Sequence, residues 1–482
     1  MKKEIGITAS RDSDFSEWYL QSVIKAGLAD YAPAKGFIVL RPYGYEIWEI
    51  IKGILDEKLK NLGHQNGFLP TLIPETLLSK EQDHFAGFMP EVFWVTKAGD
   101  NDLAEKLAIR PTSETLAYSM FAKWISSHRD LPLKLNFWNS ALRAEIKSTK
   151  PFIRNSEFLW QEGHTAHTTE EEADIEVRMI LDVYKDLVEN YLSIPTMSGY
   201  KSEKEKFVGA KYTTCLESLM TDGKSLQMAT SHQLGQNFAK PFEIKYLGKD
   251  MIEHFVWQTS WGISWRLIGA IIMTHGDDKG LIIPPRIAPI QVVIVPIYKD
   301  VNKELVVSAA RRLKDILGLD GIRAHLDDRD EYTSGWKFNY WETKGVPLRI
   351  NLGPRDVENN QLELVRRDTK QKDIVANSDA IAEVKSLLAK IQINLFDQAV
   401  KRLDEKTNVT SDLNEAKILL ETKTGFISTF WCGNSTCEEK IKDETSADIR
   451  LIPFEGQDKL NDKLCISCGL SAKSHVILGR AY

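Results

Sequence analysis

Four of the five cysteines in this 482-residue chain fall in its last 51 residues, as Cys432-x4-Cys437, a 27-residue gap and Cys465-x2-Cys468. That spacing constrains the fold strongly, because one tetrahedral ion held by both pairs forces two distant turns to within a few ångströms of each other. Four thiolates complete the shell and leave no open position, so the pattern predicts a structural Zn²⁺. Free reduced thiols are the alternative, and His475 could replace one sulfur. The uneven clustering does not fit a secreted disulfide scaffold and fits a reducing compartment. Cys215 stands alone and reads as a packed thiol.

The remaining composition is that of an ordinary globular protein, 43% hydrophobic and 27% charged, and the length is enough for about two to four domains. Apolar stretches such as "PIQVVIVPIY" fall far short of the ~20 residues that span a bilayer. No signal-like run follows the two N-terminal lysines, so a cytoplasmic protein with no membrane partner is expected. The net charge of −6 argues against indiscriminate polyanion coating, but a local basic face could still bind nucleic acid.

Residues 46–62 place isoleucine and leucine at helical spacing, with Gly63 to end the helix and "GFLPTLIP" reading as a short strand. A second long helix opens at residue 170 on an acidic first turn, where the helix dipole favours carboxylates. Pro284, Pro285 and Pro289 break the pattern before a β-branched run, which places a domain boundary near Ile287. Beyond it strands at 290–297, 322–326, 347–352 and 361–367 alternate with helices at 301–317, 334–343 and 379–391. This order predicts a small α/β domain on a mixed sheet. A further helix at 395–405 leads into the cysteine-bearing tail.

The densest chemistry lies in "WNSALRAEIKSTKPFIRNSEFLWQEGHTAH" (138–167). Arg143 and Glu145 share a strand face, and Arg154, Phe158 and Glu162 follow at intervals of four. Arginine forks suit phosphates, an aromatic ring suits a purine face, and a carboxylate suits an exocyclic amine. Together they describe an ATP site without a glycine-rich loop. A surface salt-bridge cluster over a core aromatic would give the same spacing.

These residues carry a resemblance. Arg143-x-Glu145 followed by Arg154-xxx-Phe158-xxx-Glu162 resembles the second signature motif of class II aminoacyl-tRNA synthetases. The helix from residue 46 resembles the first, the dimer-forming motif, and "SWGISWRLIGAIIMTHGDDKGLIIPPRIAP" resembles the third, with Arg266 at the phosphate-binding position. "RPTSET", "FLWQEGHTAH", "QMATSHQLGQNFAKPFEI" and "GVPLRINLGPRD" are similar to the prolyl-tRNA synthetase family in its archaeal and eukaryote-like form. The resemblance implies an α/β (α+β) fold: an antiparallel-sheet catalytic domain over 1–287, an α/β anticodon-binding domain over 288–394 and a small zinc-containing domain over 395–482.

It also implies roles. Thr112, Glu114, Arg143, Trp160, Glu162, His164 and His232 would line a proline pocket. Arg143, Glu145, Arg154, Phe158, Gln227, Thr230, Ser264 and Arg266 would hold ATP, with Gln227 near Mg²⁺. Arg143 and Arg266 would neutralise charge during catalysis, and no catalytic base is nominated. Residue by residue, Thr112 also reads as a helix N-cap and His232 as a structural histidine. Trp265 departs from the small residue usual before the third-motif arginine and must pack away from the nucleotide. The terminal Tyr482 carboxylate would reach towards the active site.

In the α/β domain Glu342, Arg349, Arg355 and Asp356 match the family's anticodon-reading segment, and such groups pair well with guanine edges. Surface charges flanking a strand are the plainer reading. The implied partners are ATP, L-proline, tRNA(Pro) and a second copy of the chain. Too few residues separate Glu162 from Arg266 to hold the editing domain of many bacterial relatives, so mischarging with alanine or cysteine would go uncorrected in cis. The competing readings are a paralogue that charges nothing and a zinc hydrolase using His164 and His167. The second lacks the glutamate of an H-E-x-x-H pattern.

Overall fold

With proline at its first position and Ile47, Ile51, Leu55 and Leu59 buried at every fourth place, Pro42–Asn61 forms a helix. The computed structural model describes residues 6–84, 91–144, 148–458 and 460–482. The helix starts earlier than residue 46 because Pro42 has no N–H to leave unpaired and its φ is already helical. It ends where Gly63, at φ +87°, returns its N–H to the Lys60 carbonyl at 2.9 Å. The strand expected in "GFLPTLIP" is instead two, Gln65–Gly67 and Leu72–Pro74, and they join different sheets. Pro70 between them cannot donate to a ladder, which is why the run divides.

The main sheet has eleven strands among the described residues. Seven of them run in the spatial order Gln65–Gly67, Leu133–Leu142, Glu157–His167, Trp257–Ser264, Ser225–Gly235, Tyr212–Leu219 and Met197–Tyr200. All of these neighbours are antiparallel except the first pair. One core, holding Trp18, Ile51, Leu181 and Trp265, packs under the helices; a second gathers Tyr118, Phe121, Phe137 and Phe238. The helix expected from residue 170 is Glu170–Asp186, capped by Thr169 and prolonged by a wider turn over Leu187–Tyr191.

The main sheet continues into the C-terminal module. Strand Asp448–Pro453 pairs with Met197–Tyr200, setting Ile452 opposite Tyr200 and Pro453 opposite Gly199. A Cβ on Gly199 would lie 2.3 Å from the Ile452 carbonyl oxygen, so this junction needs glycine. Ser474–Gly479, Phe426–Trp431 and Thr407–Val409 complete the far edge.

The second sheet has the order Ala324–Leu326, Val292–Pro296, Leu348–Leu352, Gln361–Arg366 and Lys372–Ala376, parallel across the first three and antiparallel across the rest. It is the mixed sheet of the expected α/β domain, with the additional edge strand Lys372–Ala376. The helices expected at 379–391 and 395–405 are a single helix, Ala380–Glu405. Ile391 and Leu395 are buried one turn apart, so its apolar face runs unbroken through residue 394. Among the described residues no helix is long and apolar enough to cross a membrane.

Candidate active site

Strand alternation turns Phe158, Trp160, Glu162 and His164 to one face of Glu157–His167. Register then builds rows across the sheet. One row is Phe137, Glu162, Gly262 and Thr230; the next is His164, Ser260, His232 and Thr213. These rows floor a cavity of about 660 Å³. Thr112, Glu114, Trp160, Glu162, His164 and His232 line it, and so do Arg143, Arg154, Phe158, Gln227, Thr230, Ser264 and Arg266. Glu145 lies outside the described residues. Because strands rise about 3.3 Å per residue, the His164–His232 row and the Phe158 end of the cavity are on the order of 20 Å apart.

The first end is acidic. Glu162, 2% exposed, accepts hydrogen bonds from Ser113 N at 3.2 Å, Asn139 Nδ2 at 2.9 Å, Thr112 Oγ1 at 3.3 Å and His164 Nε2 at 3.2 Å, and another from Ser113 Oγ. Burial alone would raise its pKa, but the bonds from His164, Ser113 and Asn139 bring it below the usual carboxylate range. Burial also opposes charge on His164, yet Glu162 and Glu114 hold its proton and raise its pKa. Glu114 is raised by burial first and by the neighbouring Glu162 charge, with His164 opposing. Ligand atoms of these three groups lie within 4.8 Å of one another, an arrangement suited to a cation, including an organic ammonium.

His232 is held neutral: burial, then the His164 charge, lowers its pKa to about 3. Its Nδ1 meets Thr213 Oγ1 at 2.9 Å and its ring lies 4.8 Å from that of Phe207. Thr112 is not an N-cap. Ser113 precedes the helix Glu114–Trp124, and the Thr112 hydroxyl bonds to Glu114 and Glu162 instead. The hydrolase reading also fails on geometry. His167 is three positions from His164 and so faces the other side of the strand, where its Nε2 meets Thr165 Oγ1 at 2.8 Å.

The second end is basic. Arg266 opens the helix Arg266–His275, and its guanidinium donates to the Gln227 carbonyl at 3.4 Å. Its Nε is buried with no hydrogen-bond partner among the described residues. Burial, then repulsion from Arg143, lowers its pKa to about 10, which leaves it charged at neutral pH and ready for an anion. Arg143 stacks its guanidinium 5.2 Å from the Phe158 ring. Trp265 is buried and meets Phe152 edge-on at 5.8 Å, yet it also lines the cavity beside Arg266, so it does not pack wholly away from it. Tyr482 donates to Asp222 Oδ2 at 2.5 Å, and its ring lies 4.5 Å from Lys150 Nζ.

Several residues escaped the sequence reading. Asn139 accepts from Trp160 Nε1 at 2.5 Å while donating to Glu162, and so ties the indole to the carboxylate. Its parity with Arg143 was the available signal. Ser113 sits inside the quoted "RPTSET". Phe207 and Lys201 reach the cavity from outside regular strands, where no periodicity marks them.

In the second domain Arg349 lies 3.6 Å from Glu342 and 4.0 Å from the Phe338 ring centre. Asp356 accepts from Gly353 N at 2.8 Å and Gln361 Nε2 at 3.2 Å, and Arg355 is exposed. In the tail the sulfurs of Cys432, Cys437, Cys465 and Cys468 lie within 4.8 Å of one another, Cys432 and Cys468 at 3.8 Å. A tetrahedron of ~2.3 Å Zn–S bonds has edges of about 3.8 Å, so the four sulfurs fit that ion. His475 lies outside this cluster and bonds Ser428 Oγ at 2.7 Å. Cys215 is fully buried, which pushes its thiol up to about 12.

Comparison with known proteins gives three family matches: a tRNA synthetase class II core domain (G, H, P, S and T) over residues 93–275, an anticodon binding domain over 291–387, and a prolyl-tRNA synthetase C-terminal domain over 413–482. The proline–tRNA ligase of Cenarchaeum symbiosum is 55% identical over 99% of this chain and 100% of its own length. That of Natranaerobius thermophilus is 52% identical over 98% and 97%, and that of Clostridium novyi 50% over 100% and 99%.

Proposed function

The chain belongs to the proline–tRNA ligase family of class II aminoacyl-tRNA synthetases, which are ATP-dependent ligases, and from that premise we propose how its cavity activates L-proline and charges tRNA(Pro). The observation that carries this reading is the cavity's polarity: a caged Glu162 at one end and, at the other, Arg266, whose buried Nε has no hydrogen-bond partner among the described residues. Glu162 and Glu114 receive the secondary ammonium of proline, Thr112 and His164 fix those carboxylates, and Trp160 and His232 wall the ring. Arg143 holds the proline carboxylate near the α-phosphate. Phe158, Thr230 and Ser264 seat the nucleotide, with Glu145, and Arg154 and Arg266 meet its phosphates.

One carboxylate oxygen attacks the α-phosphorus, the bond to the bridging oxygen breaks, and pyrophosphate leaves, giving the prolyl-adenylate. A hydroxyl of the terminal adenosine of tRNA then attacks the proline carbonyl and AMP leaves. Positioning and fixed positive charge supply the acceleration, so no protein nucleophile is required. Gln227 offers an oxygen donor beside the phosphates, and Mg²⁺ bound there would spread the developing charge. The cysteine cluster would hold a structural Zn²⁺.

Glu342, Arg349, Arg355 and Asp356 would read the anticodon. Pairing of two copies through the Pro42–Asn61 helix would make the working dimer, in the cytoplasm. The wall that Trp160 and His232 form around the ring would discriminate weakly against smaller side chains, so alanine and cysteine would be activated and not edited in cis. Proline-dependent ATP–pyrophosphate exchange, with alanine and cysteine alongside, tests the proposal. Exchange should be strongest with proline and measurable with the other two; no exchange with proline would overturn it. Rapid hydrolysis of alanyl-tRNA(Pro) by the pure protein would contradict the absence of editing.

A further inference from the structure

The catalytic sheet and the C-terminal module meet at a buried charge cluster that the roles above do not use. Glu217, on Tyr212–Leu219, is fully buried and lies opposite Gln227 in the next strand. Its Oε1 accepts from Lys201 Nζ at 2.7 Å and from the Arg450 guanidinium at 2.8 Å, and its Oε2 accepts from Ser225 Oγ at 2.5 Å. Lys201 also donates to the Arg450 carbonyl at 2.8 Å. Lys201 stands on the cavity wall, whereas Arg450 belongs to strand Asp448–Pro453 of the C-terminal module.

Two buried cations therefore share one carboxylate, and a third feels the same group. After burial, Arg143 and Arg450 work against the Arg266 charge and Glu217 supports it. Attachment of the module does not need this arginine, because strand pairing at Ile452 and Pro453 already joins the two sheets. Arg450 instead spends its charge inside the catalytic sheet, beside the Gln227 row. One carboxylate under two cations leaves net positive charge there, which favours a polyanion over an ammonium.

Resting on the ligase reading, we propose that Arg450 is a positioning residue for ATP, supplied by the C-terminal module. It fixes Glu217, and through Glu217 the place of Lys201 and the charge balance around Arg266. Removing it leaves Glu217 to Lys201 and the Ser225 hydroxyl, with one buried cation in place of two, so the ammonium and the Arg266 field both shift. Binding of the amino acid, at the other end of the cavity, should feel little of this.

The test is pyrophosphate exchange on the full chain, with KM measured separately for ATP and proline, in Arg450→Gln, Arg450→Lys, Glu217→Gln and the Arg450→Gln/Glu217→Gln double variant. Arg450→Gln should raise KM for ATP about tenfold while KM for proline stays within about twofold. Arg450→Lys should recover part of the loss, and Arg450→Gln should add nothing once Glu217 is Gln. An unchanged KM for ATP, or additive effects in the cycle, would overturn the proposal. Should Arg450→Gln fail to fold, the KM for ATP of Arg450→Lys decides by the same criterion. Absence of proline-dependent exchange in the unmodified protein would overturn the ligase reading itself.

Discussion

Glu114, Glu162 and His164 are buried among partners that fix them, whereas the four residues proposed to read the anticodon are partly or fully exposed and are committed to their own fold in different degrees. Glu162 takes its hydrogen bonds from the protein itself, and replacing it breaks a network. Arg349 donates Nε to Asn351 Oδ1 at 3.1 Å and lies 3.6 Å from Glu342, and the longer contact is the one that would be exchanged for base edges. Asp356 already caps Gly353, and Arg355 is free in solvent. Pre-organisation is thus concentrated in the cavity, and adaptability in the segment proposed to read tRNA.

That contrast orders the effects of substitution. Glu162→Gln removes the charge from a cage built for it, and kcat/KM for proline in exchange should fall by about 10²- to 10⁴-fold with the fold intact. A loss under tenfold would place the ammonium elsewhere. Arg349→Ala should leave exchange unchanged and lower kcat/KM for tRNA charging by about 5- to 150-fold, the worth of one specific base contact. Equal losses in both assays would mean that Arg349 acts on the fold.

pH supplies a finer probe. His164 has a raised pKa in the folded protein, so the stability it contributes is fully present below its unfolded pKa of about 6.5 and is lost as pH rises through its folded value. Over the same rise the acidic end loses a positive charge, so KM for proline should fall as His164 deprotonates. His232, neutral throughout, should not contribute. A KM for proline that is flat through the titration of His164, followed by NMR, would remove it from the pocket's charge balance. Smallest of all, Arg355→Lys should change charging by no more than about fivefold, because an exposed cation keeps its charge in either form.

Much of this was legible in the chain. The interval of four from Arg154 through Phe158 to Glu162 pointed to residues that line one cavity. Helical spacing found Pro42–Asn61 and Glu170–Asp186 with only their ends misplaced. Tertiary pairing was not legible. The joining of Asp448–Pro453 to Met197–Tyr200 links strands far apart in sequence, and no local period encodes it. Asn139 and Ser113 gain their importance only when register brings them to Glu162, and Lys201 and Phe207 approach from loops. The helix Ala380–Glu405 reads as two in the sequence because its buried face is continuous through residue 394 only once it packs against the rest of the fold.

The most direct test of the two-ended cavity is equilibrium binding of proline and of ATP, measured separately, to the unmodified protein, Glu162→Gln and Arg266→Ala. The account predicts a crossed result: Glu162→Gln loses proline and keeps ATP, and Arg266→Ala loses ATP and keeps proline. Loss of the opposite ligand in either variant would contradict it.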